Sequence, residues 1–243
     1  MDFPADRPSH RRGVCRKLSS RACAPLAQGV KLFGATAQDA LGAGGPQATE
    51  PVDSLHPSES KKNARREGAL IVYEDEASFR QTPTLYRTWA RRGQQPEIPT
   101  RGERHTQKIL GAVSVPAGDF VWRHQAEYFN AETYLSFVEE ELLPHYDRRG
   151  HRVYLIQDNA SFHKKPAVLE FFSKHHRQIE VFSLPPYSPD FNATERLWHY
   201  TRKESTHNRY FDRPAALCQA LFTTFTDMQR HPEKIQGLLA PYF

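Results

Sequence analysis

The chain has 243 residues and a mass of 28.0 kDa, with 38% hydrophobic and 12% aromatic residues and a mean hydropathy of -0.70, enough for one good-sized core under a very polar surface. No apolar run approaches the roughly 20 residues of a membrane span, there is no secretory h-region, and Cys15, Cys23 and Cys218 lack zinc-pair spacing, so a soluble cytoplasmic protein is expected. The net charge of +5 is uneven, with +4 in residues 1–67 and +1 in 68–243, so a pI near 9.1 says less about nucleic acid than local clusters such as "RTWARRG", "RGERHTQK" and "YDRRGHR" do.

Residues 1–67 are rich in Pro, Gly, Ala, Ser and Arg, show no sustained period, and are expected to be disordered. From Ala69 the texture changes to apolar runs bounded by turn signals, which places a domain at 68–243. "ALIVYEDEASF" reads as a buried strand ending in acids, and "KILGAVSVPAGDFVWRHQ" as a hairpin around "PAGD". "NAETYLSFVEEELLPHY" reads as a helix capped by Asn130 and ended by Pro144. Then come a strand in "RVYLIQD", a helix in "KPAVLEFFSKHH", a strand in "IEVFSLP", and helices in "NATERLWHYTRKE" and "RPAALCQALFTTFTDMQRH". An antiparallel start followed by alternating units implies an α/β fold, a mixed sheet with helices on its faces.

Asp75 and Asp158 are both placed at carboxyl ends of strands, where open α/β sheets bind ligands. An ionised carboxylate there loses water and needs a partner, which a hard divalent ion with oxygen ligands supplies; the plain alternative for Asp158 is an aspartate capping its own turn. A third acid, Glu195, follows the rigid proline loop "LPPYSPDFNATERLW", and its plain alternative is a capping box with Asn192.

Together "YEDEASF", "LIQDNASFHK" and "LPPYSPDFNATERLW" resemble the DDE catalytic domain of the IS630 branch of the IS630/Tc1/mariner transposases, over roughly residues 68–230. The resemblance implies an RNase H-like mixed sheet and assigns the three catalytic, metal-holding acids to Asp75, Asp158 and Glu195, with Glu74, Glu76 and Asp190 ranked below them. Asp158 and Glu195 have 36 residues between them, similar to the short second spacing of the family. Ala193 stands where the family more often has proline. The activity implied is DNA cleavage and strand transfer at insertion-sequence ends with two magnesium ions, for which manganese substitutes, and it leaves room for a homodimer in a synaptic complex.

Asn159, His163, Lys164, Tyr187, Arg196 and Lys203 are candidates for DNA contacts or for support of the acids. Full transposases of this kind carry an N-terminal helix-turn-helix, and residues 1–67 show nothing like it, so a shifted frame or a truncation is expected there. The alternatives are an inactive remnant that binds DNA without cutting it and a metal-free hydrolase with paired carboxylates, which would keep its activity in EDTA.

Overall fold

In a computed structural model, the described residues are 57–242, apart from 101, 103, 126, 127, 148, 149, 186 and 187. They fall within one compact unit. A five-stranded sheet runs in the order β3-β2-β1-β4-β5, formed by β1 (Leu70–Arg80), β2 (Thr106–Val115), β3 (Phe120–Gln125), β4 (Val153–Gln157) and β5 (Ile179–Ser183). The β1–β2 and β2–β3 pairs are antiparallel, whereas β4 lies parallel to both β1 and β5. This is the mixed sheet expected. All five residues of β4 are buried, as a strand covered on both faces requires.

Helices cover both faces. On one side the core holds Ile71, Tyr73, Ala77 and Phe79 of β1 against α5 (Ala193–Thr201), α6 (Pro214–Arg230) and α7 (Pro232–Leu239). On the other, Val72 and Leu155 meet α2 (Ala131–Phe137), α3 (Leu143–Asp147) and α4 (Pro166–Lys174) through Tyr134, Phe137, Tyr146 and Val168.

Three local expectations are corrected. Residues 57–67, placed in a disordered segment, form α1 (Pro57–Glu67): Ala64 is buried in the core, while Glu67 accepts a hydrogen bond from Tyr154 Oη at 2.7 Å and pairs with Arg152 at 3.2 Å. The same expectation for residues 1–56 lies outside the described residues. Pro144 does not end its helix. A π-helical turn at Val138–Leu142 widens the spiral, the Leu143 N–H reaches the Val138 carbonyl, and α3 carries the proline on to Asp147. The helix α7, in "PEKIQGLL", was not anticipated, and it buries Ile235 and Leu239.

Candidate active site

Asp75 is not at the end of its strand. The parallel pairing of β1 with β4 stops at Tyr73 opposite Ile156, while β1 continues to Arg80 along β2. Asp158 follows directly after the end of β4, two residues beyond the last β1–β4 pair, and its charge is among those that act on the Asp75 carboxyl. Both acids thus lie where β4 ends, one on a strand that runs on and one on the loop.

Alternation along β1 separates three consecutive acids. Asp75 faces α5, together with Tyr73 and Ala77, whereas Glu74 and Glu76 face the α2 and α4 side. On the first face, the Trp198 indole N–H donates to Asp75 Oδ2 at 3.0 Å. Gly111, opposite Asp75 in the register, makes this possible: a Cβ there would meet Trp198 Cη2 at 2.5 Å.

Helix α5 begins where the Asn192 side chain accepts the Thr194 N–H at 3.2 Å. Asn192 also accepts the Thr194 hydroxyl, so no capping box with Glu195 forms. Ala193 occupies the first helical position, a place proline would also fit, so the family's proline is not needed to start this helix. Glu195 is exposed and sits one turn before Trp198, on the helix that the indole anchors to Asp75.

Electrostatics tie the acids together. Burial, then the Glu76 and Glu195 charges, push the Asp75 carboxyl up to about 7; the Trp198 hydrogen bond opposes the shift and Asp158 adds to it. On the opposite face, the buried His163 has Nε2 at 3.3 Å from Glu76 Oε1 and Nδ1 at 3.4 Å from Asp158 Oδ1. Burial works against its charge, but the Asp158 and Glu76 carboxylates prevail and hold His163 up at about 10. The imidazolium in turn keeps Asp158 below the usual carboxylate range, helped by the Ala160 N–H donating to Asp158 Oδ1 at 2.8 Å. This hydrogen bond is the turn cap read as the plain alternative, and it coexists with the ion pair.

Glu74 is fully buried, neither of its carboxylate oxygens has a hydrogen-bond partner among the described residues, and burial with the nearby Glu76 raises it well above its ordinary range. Glu74, Glu76 and His163 each bring one ligand atom within 4.8 Å of the others, close enough to share a cation. His163 in its charged form already supplies one positive charge to that face and, while protonated, cannot coordinate a metal.

The remaining candidates part company. The Asn159 amide donates to the Leu184 carbonyl, tying the end of β4 to the segment after β5, so it braces the sheet. Lys164, Arg196 and Lys203 are exposed, and Tyr187 lies outside the described residues. The exposed Asp190 offers its backbone carbonyl to Tyr242 Oη at 2.9 Å. Support of the acids was one of the two readings of His163, but its pairing with Glu76 was not specified and that of Trp198 with Asp75 was not anticipated; the period of two along β1 and the three-residue step from Glu195 to Trp198 are the signals that carry them.

These shifts give a pH dependence. Raised from its ordinary 3.8 to about 7, Asp75 binds its proton more tightly folded than unfolded, so stability falls as pH rises through that interval. His163, raised from 6.5 to about 10, contributes stability that is complete below 6.5 and lost as pH rises toward 10. Both act in the same direction, so the protein in EDTA is expected to melt at a lower temperature at pH 8 than at pH 6. Asp75→Asn is expected to flatten the part of that change below pH 7; thermal melts that rise with pH instead would contradict the assignment.

The family model described as DDE superfamily endonuclease matches residues 70–218, more than half of the chain. The chain belongs to the DDE superfamily endonucleases. This DDE domain is 27% identical over 165 residues to the insertion element IS630 uncharacterized 39 kDa protein of Shigella sonnei, a match covering 67% of this chain and 46% of that protein. The chain therefore spans about half the length of that curated relative. Among solved structures, the catalytic domain of Mos1 mariner transposase is 18% identical, with 76% of this chain and 87% of that one covered at a TM-score of 0.50. A pre-cleavage Mos1 transpososome is 20% identical (83% and 66% covered, TM-score 0.52), and a Mos1 mariner paired end complex with Mn is 18% identical (80% and 64%, TM-score 0.52). The likeness in fold is to the Mos1 catalytic domain, an RNase H-like mixed sheet flanked by helices. No helix among the described residues is long and apolar enough to cross a membrane.

Proposed function

We propose that this DDE domain is the catalytic part of a transposase that cuts DNA at insertion-sequence ends and joins the freed 3′ hydroxyl to target DNA. Asp75, Asp158 and Glu195 would hold two divalent ions, magnesium or manganese. The observation that carries this reading is the surplus of negative charge around Asp75: Glu76, Glu195 and Asp158 all oppose its ionisation, with the His163 imidazolium on the far face of β1 as the buried counter-charge. A donor set made only of carboxylate oxygens fits hard divalent ions. When bound, such ions lower the pKa of the attacking water and stabilise charge on the scissile phosphate.

The chain's own residues arrange the rest. Trp198 holds Asp75 Oδ2 and fixes the carboxylate's rotation. His163 and the Ala160 amide keep Asp158 ionised and pointed. Asn192 starts α5 so that Glu195 stands clear of the cap. The Mos1 assemblies, one pre-cleavage and one with manganese, support DNA as substrate and a metal as cofactor, and a synapsed homodimer would bring two such domains to paired ends.

A second reading is DNA binding without transposition, for which the exposed cations Lys164, Arg196 and Lys203 would suffice. Incubating supercoiled plasmid with the purified chain and manganese separates the two. Nicking that stops in EDTA is expected. Binding without nicking leaves the second reading standing, and nicking undiminished by EDTA removes the metal role.

A further inference from the structure

Beyond the acids, toward the end of β1, the surface folds into a cavity of about 890 Å³ whose walls carry three arginines, Arg80, Arg104 and Arg202. Thr84, Thr106 and Thr206 add hydroxyl-bearing side chains, and no carboxylate is among the described residues that line it. Its floor is Phe79, with the Arg202 guanidinium 5.4 Å above the ring. One wall is pinned to the body: Thr84 bridges to His207, the Tyr86 backbone exchanges two hydrogen bonds of 2.9 Å with the Asn208 side chain, and the Tyr86 and His207 rings stack at 4.7 Å. Among the described residues none of the three arginines forms an ion pair with a carboxylate. Three arginines and several hydroxyl-bearing side chains around one groove, with no acid among its described lining residues, make a site for anionic oxygens, and guanidinium forks match phosphate geometry.

We infer that this groove grips the phosphate backbone of the DNA at a distance from the bond being cut. The inference rests on the DNA-cleaving role proposed above and adds a second contact to it. Asp75, Ala77 and Phe79 lie on one face of β1, so the groove floor is four residues from the Asp75 carboxylate, about 13 Å along the strand. One DNA strand advances about 3.4 Å per nucleotide along the duplex axis, so the backbone held there lies about four nucleotides from the scissile phosphate. The groove acts as a clamp that sets register on the duplex without reading its sequence.

The test is fluorescence anisotropy of the full chain with a labelled duplex in EDTA, across a salt series, for wild type, Arg80→Gln, Arg104→Gln, the double variant, and Arg177→Gln. Arg177 is exposed beside the start of β5, at the opposite end of the sheet. Each groove substitution is expected to reduce the slope of log K against log salt by about 0.9, so the double variant should lose about twelvefold less affinity between about 50 and 200 mM salt. The control slope should not move, and melting curves check that every variant is folded. A duplex trimmed to within about four nucleotides of the cut, from each side in turn, should lose the same contribution in wild type on one side and lose nothing more in the double variant.

A double variant with the wild-type slope, or a control that falls equally, overturns the inference. So does micromolar binding of inorganic phosphate by the wild type, lost in the variants with no change in DNA slope, which would make the groove a small-anion site. Wild-type chain that nicks DNA while the slopes agree removes the clamp alone; slopes that differ in a chain that never nicks keep the clamp and remove the cleavage reading.

Discussion

Replacing Asp158 by asparagine is expected to reduce manganese-dependent nicking by about a thousandfold or more while leaving the fold intact. A metal ion's electrostatic contribution to a phosphoryl transition state is worth several kcal/mol, and each 1.36 kcal/mol is a factor of ten in rate. Asparagine keeps the shape and the side-chain oxygen that accepts the Ala160 N–H at 2.8 Å, so the turn after β4 should survive. What it loses is the charge. Losing that charge also removes one of the two carboxylates that pair with His163, so the His163 imidazole is expected to titrate lower than its present value of about 10. A nicking assay, circular dichroism and NMR titration of His163 measure the three effects. Nicking at the wild-type rate would take Asp158 out of the metal site.

Trp198→Ala is expected to have the largest effect on stability, a loss of about 3 to 5 kcal/mol in chemical denaturation. Trp198 is fully buried and lies edge-on to Phe79, Phe120 and Phe225, so truncation opens a cavity bounded by three rings that belong to separate elements. It also strips Asp75 of its one described donor. Trp198→Phe separates the two roles. The phenyl ring retains most of the packing and has no N–H, so stability should fall much less while the Asp75 carboxyl rises further above about 7 and the pH optimum of nicking moves upward. A phenylalanine variant with an unchanged pH profile would show that the indole only fills space.

The succession of strands and helices and the mixed character of the sheet could be read from the chain because their signals are local: unbroken apolar runs for β4 and β5, and a short glycine turn for the β2–β3 hairpin. The motifs singled out Asp75, Asp158 and Glu195, and the Glu195 and Asp158 charges both act on the Asp75 carboxyl. The position of Asp75 within β1 was not legible, since it depends on how far β2 accompanies β1 after β4 has stopped, a property of pairing partners distant in sequence. Helix α1 escaped notice because "PSESKKNARRE" offers the core little more than Ala64 and is held by the polar contacts of Glu67. Pro144 misled because the rule that proline ends helices assumes an α-helical turn ahead of it, and a π-helical one stands there. Asn159 sits in the right motif, yet its amide is spent on the Leu184 carbonyl, which no spacing could reveal.

The two-sided character of β1 makes this stretch behave like a reading frame. Acids at 74, 75 and 76 look interchangeable on paper, yet one is answered by an indole and one by an imidazole on the other side of the sheet. Inserting or deleting a single residue between Ile71 and Tyr73, with the start of the strand held against β4 and the rest slipping by one against β2, would transpose the two audiences: a carboxylate bred for Trp198 would confront His163, and Tyr73 would leave one core for the other. Composition here can drift, within the limits of size and charge, but length cannot. In any lineage of this domain, the count of residues between the start of the strand and its aspartate should therefore vary only in steps of two.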